Sequence, residues 1–206
     1  GRTFNEHAWP VLCNVTQIYD PATDSWATGV PMPDFDGLGP EVASKSENIA
    51  SAVIDNKIYV VVGQTLHIYD VETDVWSSGS ELPSYLKGPA ACATSGVFAP
   101  KRLHVVGLGG HYVYDPATDI WASATPIPNS RYATELAVVD DVLYALGGGV
   151  TDIPDFPAAG FTSTNANEQY TPIGYVREFP SWLILPFSGM ATLVAVAIAI
   201  RKKRSK

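Results

Sequence analysis

One nine-residue stretch occurs three times in this sequence. The copies span residues 18–26, 68–76 and 113–121, and in each a Tyr-Asp pair is followed by a tryptophan six positions after the aspartate. A fourth, degraded copy keeps only Tyr170. The tyrosines are 50, 45 and 56 positions apart, and a period near fifty residues predicts a repeat architecture. The repeated residues are Tyr19, Asp20, Trp26, Tyr69, Asp70, Trp76, Tyr114, Asp115 and Trp121.

Pairs of apolar runs lie between the copies of this stretch. Runs on both sides of residues 55–57 and of residues 140–141 are rich in β-branched residues, and the turns between them contain Asp or Asn. Because Asp and Asn tolerate the positive φ of a tight turn, each pair predicts a β-hairpin. In the looser middle unit, His104 stands where the other units have Tyr59 and Tyr144, which indicates a strand residue. The almost continuously apolar runs are typical of strands covered on both faces.

The Tyr-Asp and Trp segments predict a second hairpin in each unit. The aspartate after each tyrosine is expected to bond backbone amides of the turn. One unit is therefore four short antiparallel strands, which must stack on neighbouring units with Tyr and Trp between them. Only 17 residues precede Ile18, which leaves little room for an inner hairpin in the first unit. The predicted units span residues 8–33 (partial), 48–83, 88–128 and 131–175.

A hydrophobic strand that ends in Gly-Gly, followed by Tyr-Asp and a spaced tryptophan, resembles the kelch motif, whose family forms β-propellers. Gly147, Gly148, Tyr170 and the three repeated stretches carry the match over roughly residues 10–175. The glycine pair is Val62-Gly63 in one unit, and the last unit has no tryptophan after Tyr170. The resemblance implies an all-β fold of four-stranded antiparallel propeller blades in a partial or open arc, and a last blade without a regular outer strand.

An uncharged segment lies near the end of the sequence. Residues 182–200 carry no charge, start at Trp182 and would span roughly 28 Å as a helix, close to the thickness of a bilayer core. A buried core helix is the alternative, but the terminal position and the basic flank favour a transmembrane helix after a linker at residues 176–181. The positive-inside rule places residues 201–206 in the cytoplasm and the propeller outside, as in a single-pass cell-membrane protein. The span also resembles, weakly, prokaryotic sorting signals of the sortase-like class. The basic flank consists of Arg201, Lys202, Lys203 and Arg204.

Charge and cysteine content exclude several classes of function. The net charge of −8 and the pI near 4.8 lack the basic footprint of a nucleic-acid binder. Cys13 and Cys92 are able to form one disulfide, but their apolar surroundings favour buried free thiols. No Cys/His ligand spacing occurs, so neither a metal nor a cofactor is expected.

Two long insertions indicate where binding would take place. In a four-stranded meander, the second-to-third loop and the link to the next unit emerge on one face, and residues 34–48 and 149–167 lengthen these connections. Long loops on a rigid scaffold usually carry binding. An acidic turn from Asp34 to Asp36, with Glu41 beyond, offers hard oxygen ligands for Ca²⁺, although a solvated acidic loop is the interpretation we adopt. The candidate binding residues are Asp34, Phe35, Asp36, Glu41, Asp152, Asp155, Phe156 and Phe161.

These features together predict a membrane-anchored binding or adhesion module for a protein or glycan ligand, and not an enzyme. One alternative is a carbohydrate-active enzyme similar to galactose oxidase or the sialic-acid mutarotases, and another is a structural cell-surface component. No spacing here offers the Tyr/His set and Cys-Tyr crosslink of the copper enzyme. A sugar site would need converging Arg, Glu and aromatic groups. The repeat count also predicts further units and a signal peptide upstream, while the ligand and the total number of blades stay open.

Overall fold

The computed structural model of the protein describes residues 2–4, 10–12, 14–33, 49–150 and 162–176. Regular secondary structure within these ranges consists of β-strands alone. The predicted all-β class is therefore confirmed, and the antiparallel sheets are compatible with blade-like propeller folds. The strands form four successive units.

The first unit contains two separate antiparallel hairpins, in which β1 pairs with β2 and β3 pairs with β4. The short stretch before Ile18 therefore does hold a hairpin, although the sequence appeared to leave little room for one. The strands are β1 (Arg2–Phe4), β2 (Pro10–Leu12), β3 (Thr16–Asp20) and β4 (Ser25–Gly29).

The second and third units are complete four-stranded antiparallel meanders whose sheet order follows the chain. The tyrosine of each third strand stands opposite the tryptophan of the fourth, Tyr69 against Trp76 and Tyr114 against Trp121. The second unit comprises β5 (Ile49–Ile54), β6 (Lys57–Val62), β7 (Thr65–Asp70) and β8 (Val75–Ser78). The third comprises β9 (Lys87–Ala93), β10 (Leu103–Leu108), β11 (Gly110–Asp115) and β12 (Ile120–Ser123).

The fourth unit has a three-stranded sheet in the order β13-β14-β17, with a small hairpin of β15 and β16 inserted between β14 and β17. Within the described residues, no strand pairs with the outer edge of β17. The strands are β13 (Glu135–Val139), β14 (Val142–Leu146), β15 (Gly149–Val150), β16 (Thr162–Ser163) and β17 (Asn167–Tyr170).

The units stack in chain order, because the first strands β5, β9 and β13 pack beside one another. One hydrophobic core fills the second–third junction, the space between the second and third units. Another fills the third–fourth junction. β10 contributes to both, because Leu103 and Val105 face the second unit and Val106 faces the fourth. All five residues from 103 to 107 are buried, which confirms that this apolar run is covered on both faces.

Aspartates form the tight turns. Asp55, Asp140 and Asp141 adopt positive φ between the first two strands of their units, as the hairpin prediction required. In the turns before the tryptophans, the carboxylates of Asp20, Asp70 and Asp115 accept hydrogen bonds from backbone amides two positions later. Both turns therefore follow from local Asp chemistry.

The chain divides into two compact parts, Gly1–Gly174, which contains the four repeat units, and Tyr175–Lys206. Only residues 175 and 176 of the second part are described. The predicted span at 182–200 and its flanks, Trp182 and Arg201 to Arg204, lie outside the described residues. No helix in the described part of the chain is long and apolar enough to cross a membrane.

Candidate functional site

In the second and third units, the repeated tyrosine and tryptophan join the unit to the one before it, together with the aspartate two positions before the tryptophan. We call these three residues the latch. In the second unit, Asp74 Oδ1 accepts the Tyr69 hydroxyl at 2.6 Å and the Val30 amide at 2.9 Å. Trp76 Nε1 donates to the Val30 carbonyl at 2.9 Å. One residue of the preceding unit is therefore held through both its N–H and its C=O.

The latch of the third unit has the same geometry. Asp119 Oδ1 accepts the Tyr114 hydroxyl at 2.8 Å and the Ser80 amide at 2.7 Å. Trp121 Nε1 donates to the Ser80 carbonyl at 2.8 Å. The bond to Asp74 in the second latch raises the pKa of Tyr69 to about 12, and burial with the Asp119 bond raises that of Tyr114 further. Both phenols thus stay protonated donors at neutral pH.

Glycine makes this close approach possible. A Cβ added to Gly29 would lie 2.9 Å from Asp74 Oδ1 and 3.0 Å from the Tyr69 hydroxyl, and one on Gly79 would lie 3.0 Å from the Tyr114 hydroxyl. Sequence reasoning missed these glycines and the second aspartate of the repeat. Both can be seen when the three copies of the repeat are aligned. An aspartate stands two positions before each tryptophan, and a glycine stands three positions after the tryptophan in the first two copies.

The latch of the first unit is assembled but exposed. Tyr19 donates its hydroxyl to Asp24 Oδ1 at 2.8 Å, and the Tyr19 and Trp26 rings lie 5.1 Å apart. Trp26 is 68% exposed, and none of the described strands covers it in the way that the first unit covers Trp76. The same local sequence therefore builds the latch whether or not a neighbouring unit is present.

The third–fourth junction contains two buried histidines, His104 and His111, which we call the histidine pair. His111 Nδ1 lies 2.9 Å from the Thr125 carbonyl, which only accepts, so Nδ1 carries the proton. His111 Nε2 then accepts from His104 Nδ1 at 3.1 Å. His104 Nε2 is left without a proton and, within the described residues, without a hydrogen-bond partner. Burial, with His111 as the next cause, lowers the pKa of His104 to about 3, so the pair is neutral at physiological pH.

His104 occupies the place of a tyrosine in the preceding junction. Its ring lies 6.1 Å from that of Tyr170, and the Tyr59 ring lies 6.0 Å from that of Tyr114. The interpretation of His104 as a strand residue is confirmed, but sequence reasoning missed its partner His111, which replaces Leu66. Comparison of the units in register is the signal that reveals this substitution.

A buried ion pair completes the third–fourth junction. Arg131 is fully buried, and its Nη1 donates to the carbonyls of Gly147 and Ala166, both at 2.9 Å. Its Nη2 forms a salt bridge with Glu168 Oε2. Glu168 Oε1 accepts Asn129 Nδ2 at 2.6 Å. These bonds tie β17 to the glycine turn after β14, so the pair has a structural role.

Tyr170 borders two cavities of this junction. One, of about 130 Å³, is lined by His111, Thr125, Ile127, Glu168, Tyr170 and further apolar residues. The other, of about 330 Å³, is lined by Arg102, His104, Val113, Tyr170 and Ile173 among others. Within the described ranges, no three or more His, Cys, Asp or Glu residues converge as metal ligands do.

Hydrogen bonds and a salt bridge connect the hairpin turns of neighbouring units at one end of the stack, and we call these the fastened hairpin turns. The buried Asp141 carboxylate accepts the backbone amides of Val97, Phe98 and Ala99, at 3.1, 2.7 and 3.0 Å. These bonds outweigh desolvation and lower the pKa of Asp141 to about 2. Lys101 Nζ lies 2.6 Å from Asp55 Oδ1 in the neighbouring turn. This end of the units is therefore built for rigidity.

The predicted binding residues are on the two insertions. Asp34, Phe35, Asp36, Glu41, Asp152, Asp155, Phe156 and Phe161 all lie outside the described residues. The strands that bound them are described: one insertion follows β4 and precedes β5, and the other separates β15 from β16. Both leave from the end opposite the fastened hairpin turns.

The glycines at this end adopt the backbone conformation that glycine favours, with φ of 63° at Gly63, 59° at Gly147 and 94° at Gly148. Cys92 is a buried free cysteine, as expected, and burial raises the pKa of its thiol to about 12. Cys13 lies outside the described residues.

Comparison with known proteins adds no family. No protein-family model matches the sequence, and no curated protein proved to be similar to it. The class defined by the fold is an all-β protein of antiparallel sheets compatible with blade-like propellers.

Proposed function

We propose that residues 1–175 are an open arc of kelch-type propeller blades that acts as a binding or adhesion module, without enzymatic activity. The repeated latch supports the kelch interpretation, because the residues of the motif hold one unit to the next in two successive junctions.

The observation that carries the proposed function is the difference between the two ends of the units. One end has short turns fastened by Asp141 and Lys101. The opposite end carries both long insertions, residues 34–48 and 151–161, on strands whose positions are fixed by the sheets. A rigid scaffold that presents long loops on one face suits recognition of a protein or a glycan.

We further propose that residues 182–200 anchor the module in the cell membrane as a single span, with the propeller extracytoplasmic and residues 201–206 cytoplasmic. The uncharged length and the basic flank support this topology. An impermeant thiol reagent on intact cells should label an Ala117→Cys variant and spare a Ser205→Cys variant. The unsubstituted chain gives the background, and the reverse labelling pattern would refute the topology.

The binding proposal is tested with the full chain in detergent micelles on arrays of glycans and extracellular proteins. In one variant, Gly-Ser replaces residues 35–47, and in a second it replaces residues 152–160. We expect either variant to lose at least about tenfold in binding, the effect of removing contact residues. A matched control, Glu72→Ala in an exposed turn at the opposite end, should keep full binding. Binding by both loop variants that equals that of the parent chain would refute the proposed binding face. Loss of binding in the Glu72→Ala control would refute it as well.

A further inference from the structure

The smaller cavity of the third–fourth junction lies where the preceding junction holds a tryptophan. The Trp121 ring is 5.0 Å from that of Tyr114, and its Nε1 bonds the Ser80 carbonyl. Tyr170 and Thr125 are the residues in register with Tyr114 and Ser80, and both line the cavity. The cavity therefore borders the position that a fourth-strand tryptophan would take.

A third landmark agrees with this placement. In the second unit, the Trp76 ring also lies 6.4 Å from the His67 ring. The residue of the fourth unit in register with His67 is Glu168, which also lines the cavity. The volume of about 130 Å³ is close to that of an engineered apolar cavity, about 150 Å³, that holds a benzene molecule. One aromatic ring fits this space.

The edge beside the cavity is suited to strand addition. β17 pairs with β14 on one side, and within the described part of the chain no strand lies on its other side. In the third unit, the corresponding edge of β11 is paired with β12, which carries Trp121. An extended peptide that adds to a free edge gains backbone hydrogen bonds, while a pocket for one side chain gives specificity.

We propose that the outer edge of β17 and this cavity form a binding site for a single extended segment of a partner polypeptide that inserts a tryptophan. The Thr125 carbonyl accepts His111 Nδ1 and has a second lone pair for an indole N–H, the role that Ser80 plays for Trp121. The segment needs no aspartate before its tryptophan. Ala124 stands where Gly79 approaches Asp119, and its Cβ would crowd such a carboxylate.

A second copy of this chain fits the site poorly, although its Trp26 is exposed. β4 is already paired with β3 along one edge. If its free edge joined β17 in the antiparallel sense, Trp26 would point to the face opposite Tyr170. If Trp26 pointed to the correct face, β4 would run parallel to β17, unlike β12 beside β11. A lone strand has both edges free and meets neither restriction.

The test uses the full chain in detergent micelles and a capped, fluorescent peptide with the sequence of residues 120–126, Ile-Trp-Ala-Ser-Ala-Thr-Pro. We expect saturable binding that weakens at least about tenfold when the tryptophan of the peptide is replaced by alanine, the size typical of a buried aromatic anchor. Free indole should displace the tryptophan peptide, because it fills the cavity alone.

A chain variant locates the site. Ala145 is buried and lines the cavity, so Ala145→Leu should fill it and abolish binding. The same change at an exposed turn position, Ala117→Leu, should leave binding intact. If Ala145→Leu does not fold, as circular dichroism will show, indole displacement decides the question.

Several outcomes would overturn the proposal. They are equal binding of the tryptophan and alanine peptides, failure of indole to displace the peptide, and unchanged binding in folded Ala145→Leu. Dimerisation in ultracentrifugation that Trp26→Ala abolishes, and that the peptide disrupts, would assign the site to a second copy instead. The peptide assay is separate from the loop-variant assay, so its failure leaves the proposed function unaffected.

Discussion

The second–third and third–fourth junctions use the same positions of the repeat with opposite chemistry. In the first, these positions carry apolar or aromatic residues around a hydrophobic core, and a latch closes the outer side. In the second, they carry ionisable residues, and cavities remain beside Tyr170. Equivalent positions in the two junctions, with the second–third junction given first, are Tyr59 and His104, Leu66 and His111, Leu86 and Arg131, and Tyr112 and Glu168.

This difference shows that one repeat accommodates two kinds of junction. Apolar burial stabilises the second–third junction without any need for matched partners. Buried polar groups must instead be paired. Within the described residues, the third–fourth junction pairs the two carboxylate oxygens of Glu168 but gives no hydrogen-bond partner to His104 Nε2 or Arg131 Nε. Buried ionisable groups beside cavities are typical of functional sites. The first of these junctions supports the scaffold, and the second contains the peptide site that we propose above.

The largest effect is expected from breaking the buried ion pair. Arg131→Leu leaves the Glu168 carboxylate without its cation and should lower the free energy of unfolding by about 3–5 kcal/mol. The double variant Arg131→Leu/Glu168→Tyr has the residues that stand at these positions in the second–third junction, Leu86 and Tyr112. It should restore the free energy of unfolding to within about 1 kcal/mol of the parent. Urea unfolding in micelles measures both. A double variant no more stable than the single one would show that the two junctions are not interchangeable.

The next effect is a pH dependence confined to the third–fourth junction. His104 is neutral when folded, with a pKa lowered to about 3, whereas the unfolded chain takes up a proton below about pH 6.5. Stability should therefore fall as the pH falls, by about 1.4 kcal/mol per unit between pH 6.5 and 4.5. The charged and titratable groups that act on His104 are His111, Arg102 and Asp141.

The variant His104→Tyr, which copies Tyr59, should reduce this dependence, and the rest belongs to His111, whose pKa burial also lowers. His67→Tyr serves as the comparison in the second unit. Asp141 titrates in a separate window, because its contribution is present above about pH 4 and is lost as the pH falls towards 2. An unchanged slope in His104→Tyr would show that another group controls the acid sensitivity.

The smallest effect compares a closed latch with an open one. Trp121→Ala should cost about 2 kcal/mol, less than the 3–5 kcal/mol of a fully buried aromatic, because the indole is only half-buried. Trp26→Ala in the exposed latch should cost less than about 0.5 kcal/mol. The same unfolding measurements decide between them. Equal losses would mean that the latch acts within its own unit and not between units.

Much of this architecture could be predicted from periodicity. The Tyr-Asp and Trp copies predicted a hairpin, and Tyr69 does stand opposite Trp76. The apolar run around His104 predicted a strand covered on both faces, which β10 confirms. The candidate site could not be predicted in this way. His111 and Arg131 look like isolated polar residues in sequence, and their partners Thr125 and Glu168 lie 14 and 37 positions away.

The sequence by itself determined the strands, the turns and the repeat, because these depend on residues a few positions apart. Asp turns and alternating or continuous apolar runs act through local backbone preferences and burial. Only the tertiary structure decided which latch is closed, since Tyr19, Asp24 and Trp26 match the other copies but face solvent. It also decided that His111 bonds the carbonyl of Thr125 and leaves a cavity beside Tyr170. Hydrogen bonds and packing between units depend on which segments the fold brings together, and the order of residues along one unit does not contain that information.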